Sequence, residues 1–231
     1  MAVIARQRTA RGEIALRTFA TDDGATVVEL VVDGVSLMSS LNGLSERALA
    51  TRCLEPMLDR PALSILIAGL GMGFTLEAVL QQPNVAVVHV VEVEPVIVDW
   101  ARERFAALNG DALSDSRVSV FVDDVTDFIR ASRARYDAIL MDVDNGPTWL
   151  ASGANAALYQ PPLLGQIRDL LVDGGVLGVW ASERSPDFVA AVSEVFGVTA
   201  VSEHAMNEVI AGRALEFVLY SARRESEAVT D

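Results

Sequence analysis

The sequence predicts an α/β protein: a doubly wound, seven-stranded, mostly parallel sheet with a small N-terminal β-hairpin appendage. Three observations predict it. From Leu63 onward, short apolar runs alternate with longer helix-like segments, the pattern of βαβ units. A glycine-rich stretch, 68–73, lies between the first such run and the first helix-like segment, and later runs end in acids. Before Leu63, two strand-like runs instead flank an Asp-Gly turn.

The elements follow in order. Glu13–Phe19 and Ala25–Val32 read as strands of a hairpin around Thr21-Asp22-Asp23-Gly24, and Val35–Met38, after Asp33-Gly34, as a third strand. Glu46–Leu58 has helical apolar spacing and stops before Asp59-Arg60-Pro61. In the larger part, strands are expected at Ser64–Ala68, Val85–Val91, Val118–Val122, Ala138–Met141 and Val176–Trp180. Helices are expected at Phe74–Leu80, Pro95–Leu108, Val125–Ser132 and Pro161–Leu171, the last ending before Asp173-Gly174-Gly175. A helix near Pro186–Val195 and strands near Thr199–Ser202 and Glu216–Ser221 complete seven strands. The expected division is 1–60 for the appendage and linking helix, 61–223 for the main domain and 224–231 for a flexible tail.

Composition narrows the chemistry. Of 231 residues, 51% are hydrophobic and the charges are dispersed, which marks a chain able to bury a core. The formal charge of −14 argues against nucleic acid as a partner and would attract a cationic small molecule. Cys53 is the single cysteine, and only His89 and His204 accompany it, so neither a disulfide nor a metal site is expected. No apolar run is long enough to span a membrane, and the N-terminal segment lacks an apolar stretch after its arginines; the expected location is the cytoplasm.

The chemistry-bearing residues cluster at strand ends. Gly69, Gly71 and Gly73 form G-x-G-x-G rather than the dinucleotide G-x-G-x-x-G, because Phe74 stands where a third glycine would be. Glu92, ending the second strand, is placed to accept ribose hydroxyls, whereas Glu94 reads as a solvated acid. Asp123 and Asp124, after the third strand, either reach an adenine edge or serve as a helix N-cap. Tyr136 to Met141 runs into Asp142, Asp144 and Asn145. Ligands of open α/β sheets sit beyond the carboxyl ends of strands, so these four elements converge on one crevice. Trp149 and Tyr159 flank a segment, 148–160, expected to act as a lid; a plain surface connection is the alternative.

From about Val27 to Tyr220 the chain resembles the spermidine-synthase family. The glycine loop, the strand-end Glu92, Asp124 and the segment Tyr136-Asp137-Ala138-Ile139-Leu140-Met141-Asp142 match in order and spacing. The resemblance implies a methyltransferase-type Rossmann core, ribose binding by Glu92, adenine binding by Asp124 and a homodimer. It also implies S-adenosylmethionine or its decarboxylated form as co-substrate, held by Gly69, Gly71, Gly73, Glu92, Asp123, Asp124 and Asp142.

The departures bear on the acceptor. The resemblance places in the family's G-G-G-D-G-G loop an aspartate that holds the amine acceptor, and Gly71 stands at its place here. The family's D-S-S-D-P becomes Asp142-Val143-Asp144-Asn145-Gly146, so Asn145 stands where the resemblance places the aspartate that deprotonates the attacking amine. An amide cannot accept that proton at neutral pH. Asp142 and Asp144 are the acids left to act. The family's tyrosine and histidine near the end of the appendage are also missing, the stretch reading Arg52-Cys53-Leu54-Glu55. The expectation is therefore a transferase that moves an alkyl group to a small-molecule acceptor, with methyl transfer placed slightly ahead of aminopropyl transfer. A non-catalytic nucleoside-binding module is a further alternative, and a nicotinamide oxidoreductase is disfavoured by the glycine spacing.

Overall fold

A computed structural model describes residues 1–21, 24–41, 43–143, 146–148, 153–210 and 213–225. The N-terminal part is a four-stranded antiparallel sheet in the order β1 (Ala2–Thr9), β2 (Gly12–Ala20), β3 (Thr26–Val32) and β4 (Val35–Ser39). Asp33 and Gly34 join β3 to β4 with φ values of 47° and 85°, the doubly left-handed turn that an Asp-Gly pair accommodates. β1 was not expected from the sequence. Its residues are mostly exposed, so no alternating pattern betrays it, and it exists by pairing its backbone with β2.

Next come α1 (Leu44–Leu54), β5 (Leu63–Ala68), α2 (Phe74–Leu80), β6 (Val85–Glu92), α3 (Pro95–Glu103), α4 (Ala106–Asn109), β7 (Val118–Val122), α5 (Val125–Ala131) and β8 (Tyr136–Met141). α6 (Pro161–Leu170), β9 (Leu171–Ala181), α7 (Pro186–Phe196), β10 (Val201–Ile210) and β11 (Arg213–Arg223) complete the fold. The seven-stranded sheet runs β10-β11-β9-β8-β5-β6-β7. β5 to β9 pair in parallel, while β11 is antiparallel to both β9 and β10. The doubly wound architecture matches expectation.

Three boundaries differ for identifiable reasons. The helix expected to reach Leu58 ends at Leu54 and passes into a 3₁₀ turn, Glu55–Met57, because Pro56 has no N–H to continue the ladder. The single helix expected over 95–108 breaks between α3 and α4. The amides of both Arg104 and Phe105 donate to the Trp100 carbonyl, and Phe105 is fully buried at the break. β9 begins directly after α6, with Asp173-Gly174-Gly175 bulging from it, since Tyr136 pairs with Leu171 and Ala138 with Val176. Arg224, assigned to the tail by sequence, exchanges backbone hydrogen bonds with this bulge at Gly174 and Gly175.

Apolar side chains pack on both faces of the sheet. One cluster joins α1, α2 and α3 to the inner faces of β2 and β3, and the other lies under α5, α6 and α7. The N-terminal sheet thus shares a core with the larger part. Strand order reverses between β5 and β8, which opens a crevice at their carboxyl ends.

Candidate nucleoside and acceptor site

A cavity of about 370 Å³ occupies that crevice, within the range of small-molecule sites. Its floor is the glycine loop. Gly69, Gly71 and Gly73 have φ values of 88°, 52° and 88°, a conformation that side chains with a Cβ resist. Gly69 abuts the Asp142 backbone carbonyl, Gly71 faces the Met38 sulfur and Gly73 packs on the Asn109 amide. Gly69 and Gly71 line the cavity, whereas Gly73 turns the chain into α2 behind it.

Glu92 lines the cavity and is buried. Its two oxygens accept from Leu70 N at 3.0 Å and Glu94 N at 2.9 Å. Burial pushes its carboxyl above the usual carboxylate range, and these backbone donors pull it back. The same acid therefore holds the glycine loop and faces the cleft. Glu94, expected to be solvated, is buried instead and accepts from Thr9 Oγ1 at 3.1 Å.

Asp124 caps α5 by accepting from Thr126 N at 2.8 Å, and it also lines the cavity. Arg11 Nη2 approaches its carboxylate to 3.6 Å from the β1–β2 turn. Asp123 is different. It is exposed, its carboxylate accepts from Asp124 N, and it is absent from the cavity wall.

Asp142 lines the cavity, with Oδ2 accepting from Thr75 Oγ1 at 2.6 Å. Asp144, Asn145 and Trp149 lie outside the described residues. Residues 153–159 of the expected lid form a 3₁₀ helix, and Tyr159 is buried, its hydroxyl donating to the Val143 carbonyl at 3.0 Å. Tyr159 is thus a packed residue, while Asn155 and Leu158 face the cavity.

Sequence reasoning missed several contributors. The most consequential is Glu46 of α1, 4% exposed, which reaches the cavity and accepts from Ser45 Oγ at 2.7 Å. Burial raises its carboxyl to about 7, with the nearby Asp142 charge adding to the rise, and burial likewise lifts Asp142 to about 6. A signal existed: Glu46 stands on the same helical stripe as Leu49, Ala50 and Cys53, where an acid is out of place. The N-terminal sheet also supplies an apolar wall through Ile14, Leu30, Val32, Leu37 and Met38. Cys53 is a buried core thiol, pushed up to about 12 by burial. Among the described residues no helix is long and apolar enough to cross a membrane, and no cluster of metal-ligating side chains occurs.

Comparison with known proteins places this geometry. A polyamine aminopropyltransferase of Saccharolobus islandicus (strain Y.N.15.51 / Yellowstone #2) is 28% identical over 131 residues, 57% of this chain and 42% of the relative. Putrescine N-methyltransferase 2 of Nicotiana attenuata is 32% identical over 114 residues, 49% of this chain and 29% of the relative. The chain therefore spans less than half the length of the curated relatives it matches. Among solved structures, a spermidine synthase in complex with the transition-state analogue AdoDATO superposes with a TM-score of 0.80 at 19% identity, over 98% of this chain and 75% of that one. The spermidine synthase from Thermotoga maritima gives 0.78 at 19% identity, over 98% and 74%. These structures share the fold. The model of the spermine/spermidine synthase domain matches residues 54–188, which hold the glycine loop, Glu92, Asp124 and Asp142. The chain belongs to the spermine/spermidine synthase domain family.

Proposed function

We propose that this protein binds S-adenosylmethionine or a close adenosyl sulfonium relative in the cleft and transfers an alkyl group, methyl ahead of aminopropyl, to a small-molecule amine. The carrying observation is that four acids from four different elements, Glu46, Glu92, Asp124 and Asp142, line one cavity together with the glycine loop. Glu92 and Asp124 line the cavity from β6 and the start of α5, and the glycine loop touches both Glu92, through Leu70 N, and the Asp142 backbone, at Gly69. A carboxylate at each position accepts from hydroxyls or an exocyclic amine. The acids Glu46 and Asp142 and the apolar residues of the N-terminal sheet line the same cavity.

Methyl transfer is favoured because the glycine loop carries Gly71 where an acid would hold an ammonium acceptor; the Met38 sulfur lies against Gly71 instead, 3.2 Å from Met72 N. Aminopropyl transfer is the second reading, supported by the acidic pair and by relatives named as aminopropyltransferases. In either case the protein's task is to align nucleophile, carbon and sulfur, which supplies much of the barrier reduction in such displacements.

Calorimetric titration with S-adenosylmethionine, its decarboxylated form, methylthioadenosine and NAD tests the proposal, with Glu92→Ala as control. Tighter binding of the carboxylated nucleoside supports methyl transfer. Tighter binding of the decarboxylated form supports aminopropyl transfer, and binding of neither overturns the proposal.

A further inference from the structure

A second cavity lies at the opposite end of the sheet, where the parallel strands begin. Its volume is about 270 Å³, and its walls come from the end of α1 (Arg52, Cys53), the start of β9 (Val176), β10 (Ser202) and the end of β11 (Ser221, Arg223). Packing explains its position. Gly178 pairs with Ser221, and a Cβ on Gly178 would come within 2.5 Å of the Cys53 sulfur, so α1 rests directly on the sheet there. Just beyond, α1 has ended at Pro56, and the strands carry Ser202 paired with Ser221, whereas nearer the cleft Trp180 and Leu219 fill the same face. Small side chains beside a terminated helix leave the gap.

The lining is polar and cationic. Neither the Arg52 nor the Arg223 guanidinium has an acid partner among the described residues, and the hydroxyls of Thr199, Ser202 and Ser221 on the same wall donate to no protein acceptor there. Glu225 is the one acid on this wall among the described residues. Elsewhere arginines are matched: Arg47 by Glu77, Arg60 by Asp137, Arg117 by Asp115 and Arg224 by Asp173. A positive surplus around one cavity stands out in a chain of formal charge −14. Two like charges lining so small a space repel each other, and an anion between them turns the repulsion into attraction.

We propose that this cavity binds the phosphate group of a small anion, free or esterified, through Arg52 and Arg223. A guanidinium presents a planar fork of N–H donors that matches phosphate oxygens. Two such forks and the hydroxyls of Thr199, Ser202 and Ser221 offer more donors than the paired oxygens of a carboxylate accept comfortably, and a phosphate brings further acceptor oxygens. At about 270 Å³ the cavity falls just short of the range of drug-sized sites, which fits a short phosphate monoester better than a nucleotide. Among the described residues none lines both this cavity and the cleft, so the site goes beyond the transferase reading and does not depend on it.

The test uses the full chain at low salt in phosphate-free buffer, with inorganic phosphate, glycerol 3-phosphate, acetate and glycerol as calorimetric probes. Both phosphates are expected to bind the wild type, acetate roughly tenfold or more weakly, and glycerol not at all. The tighter of the two phosphates distinguishes the free ion from an ester. Arg52→Gln and Arg223→Gln are each expected to weaken phosphate binding roughly tenfold or more. Both arginines are exposed, so these substitutions spare the fold, which the melting temperature checks. Arg130→Gln removes the same charge from α5, on the other face of the sheet, and is expected to leave the affinity within about twofold. Absence of phosphate binding, equal affinity for acetate, wild-type affinity in Arg52→Gln and Arg223→Gln, or an equal loss in Arg130→Gln overturns this inference and leaves the proposed function standing.

Discussion

The backbone carbonyl of Asp142 occupies the space a Cβ on Gly69 would need, so the ends of β5 and β8 meet backbone to backbone beneath the cavity. Gly69 also has φ of 88°. Gly69→Ala combines a left-handed backbone cost with an overlap that no rotamer relieves, and is expected to destabilise the protein by about 3–5 kcal/mol. Urea denaturation measures it. A midpoint equal to wild type would mean that the two strand ends part easily.

Stability is expected to fall as pH rises from about 4.5 to 7. Glu46 binds its proton more tightly in the folded protein, where its carboxyl stands at about 7 against an ordinary 4.5. Through that window the native state holds more protons than the unfolded chain, so deprotonation favours unfolding. The contribution is at most roughly 3 kcal/mol. Glu46→Gln should flatten the slope of melting temperature against pH and raise the melting temperature at pH 8. An unchanged slope would show that Glu46 is solvated.

Thr75→Val removes the hydroxyl that stabilises the charged form of Asp142. Asp142 should then hold its proton to higher pH. Amine binding and turnover should shift their acid limb upward by about one pH unit, with a stability loss of about 1–2 kcal/mol. A pH profile identical to wild type would exclude Asp142 from the titrating pair.

Asp124 separates a helix cap from a ligand contact. Asparagine caps as well as aspartate, so Asp124→Asn should change stability by less than about 0.5 kcal/mol, whereas Asp124→Ala should cost about 1 kcal/mol. If the carboxylate accepts from a bound base, both variants weaken nucleoside binding about tenfold. Full affinity in Asp124→Asn would reduce the residue to its capping role.

What was legible in the sequence was whatever periodicity or turn chemistry encodes locally. The bounds of Phe74–Leu80 and Val118–Val122 coincide with expectation, and the seven strands of the main sheet were all foreseen. β1 was invisible because an exposed strand carries no inside-outside alternation, only a partner's backbone. The break at Phe105 was hidden because the core takes that ring at the cost of helical continuity, while the apolar spacing runs on through Leu108. Among the site acids, Glu92, Asp124 and Asp142 were found because strand ends announce themselves. Asp123 was not separated from Asp124, since which of two adjacent acids faces a cleft depends on the turn between β7 and α5. Glu46 was passed over because a helix reads as scaffold until its neighbours are known.

β11 lies between β9 and β10 in the sheet, yet it follows both of them in the sequence. A chain emerging from the ribosome therefore completes β9 with an open edge and must wait for β10 to pass before β11 arrives to cover it. Val218, Leu219 and Tyr220, buried where β11 joins the cores, reach their places only then. Nascent chains halted before residue 213 would carry a bare edge, a natural hold for a chaperone and a point at which truncated products would aggregate.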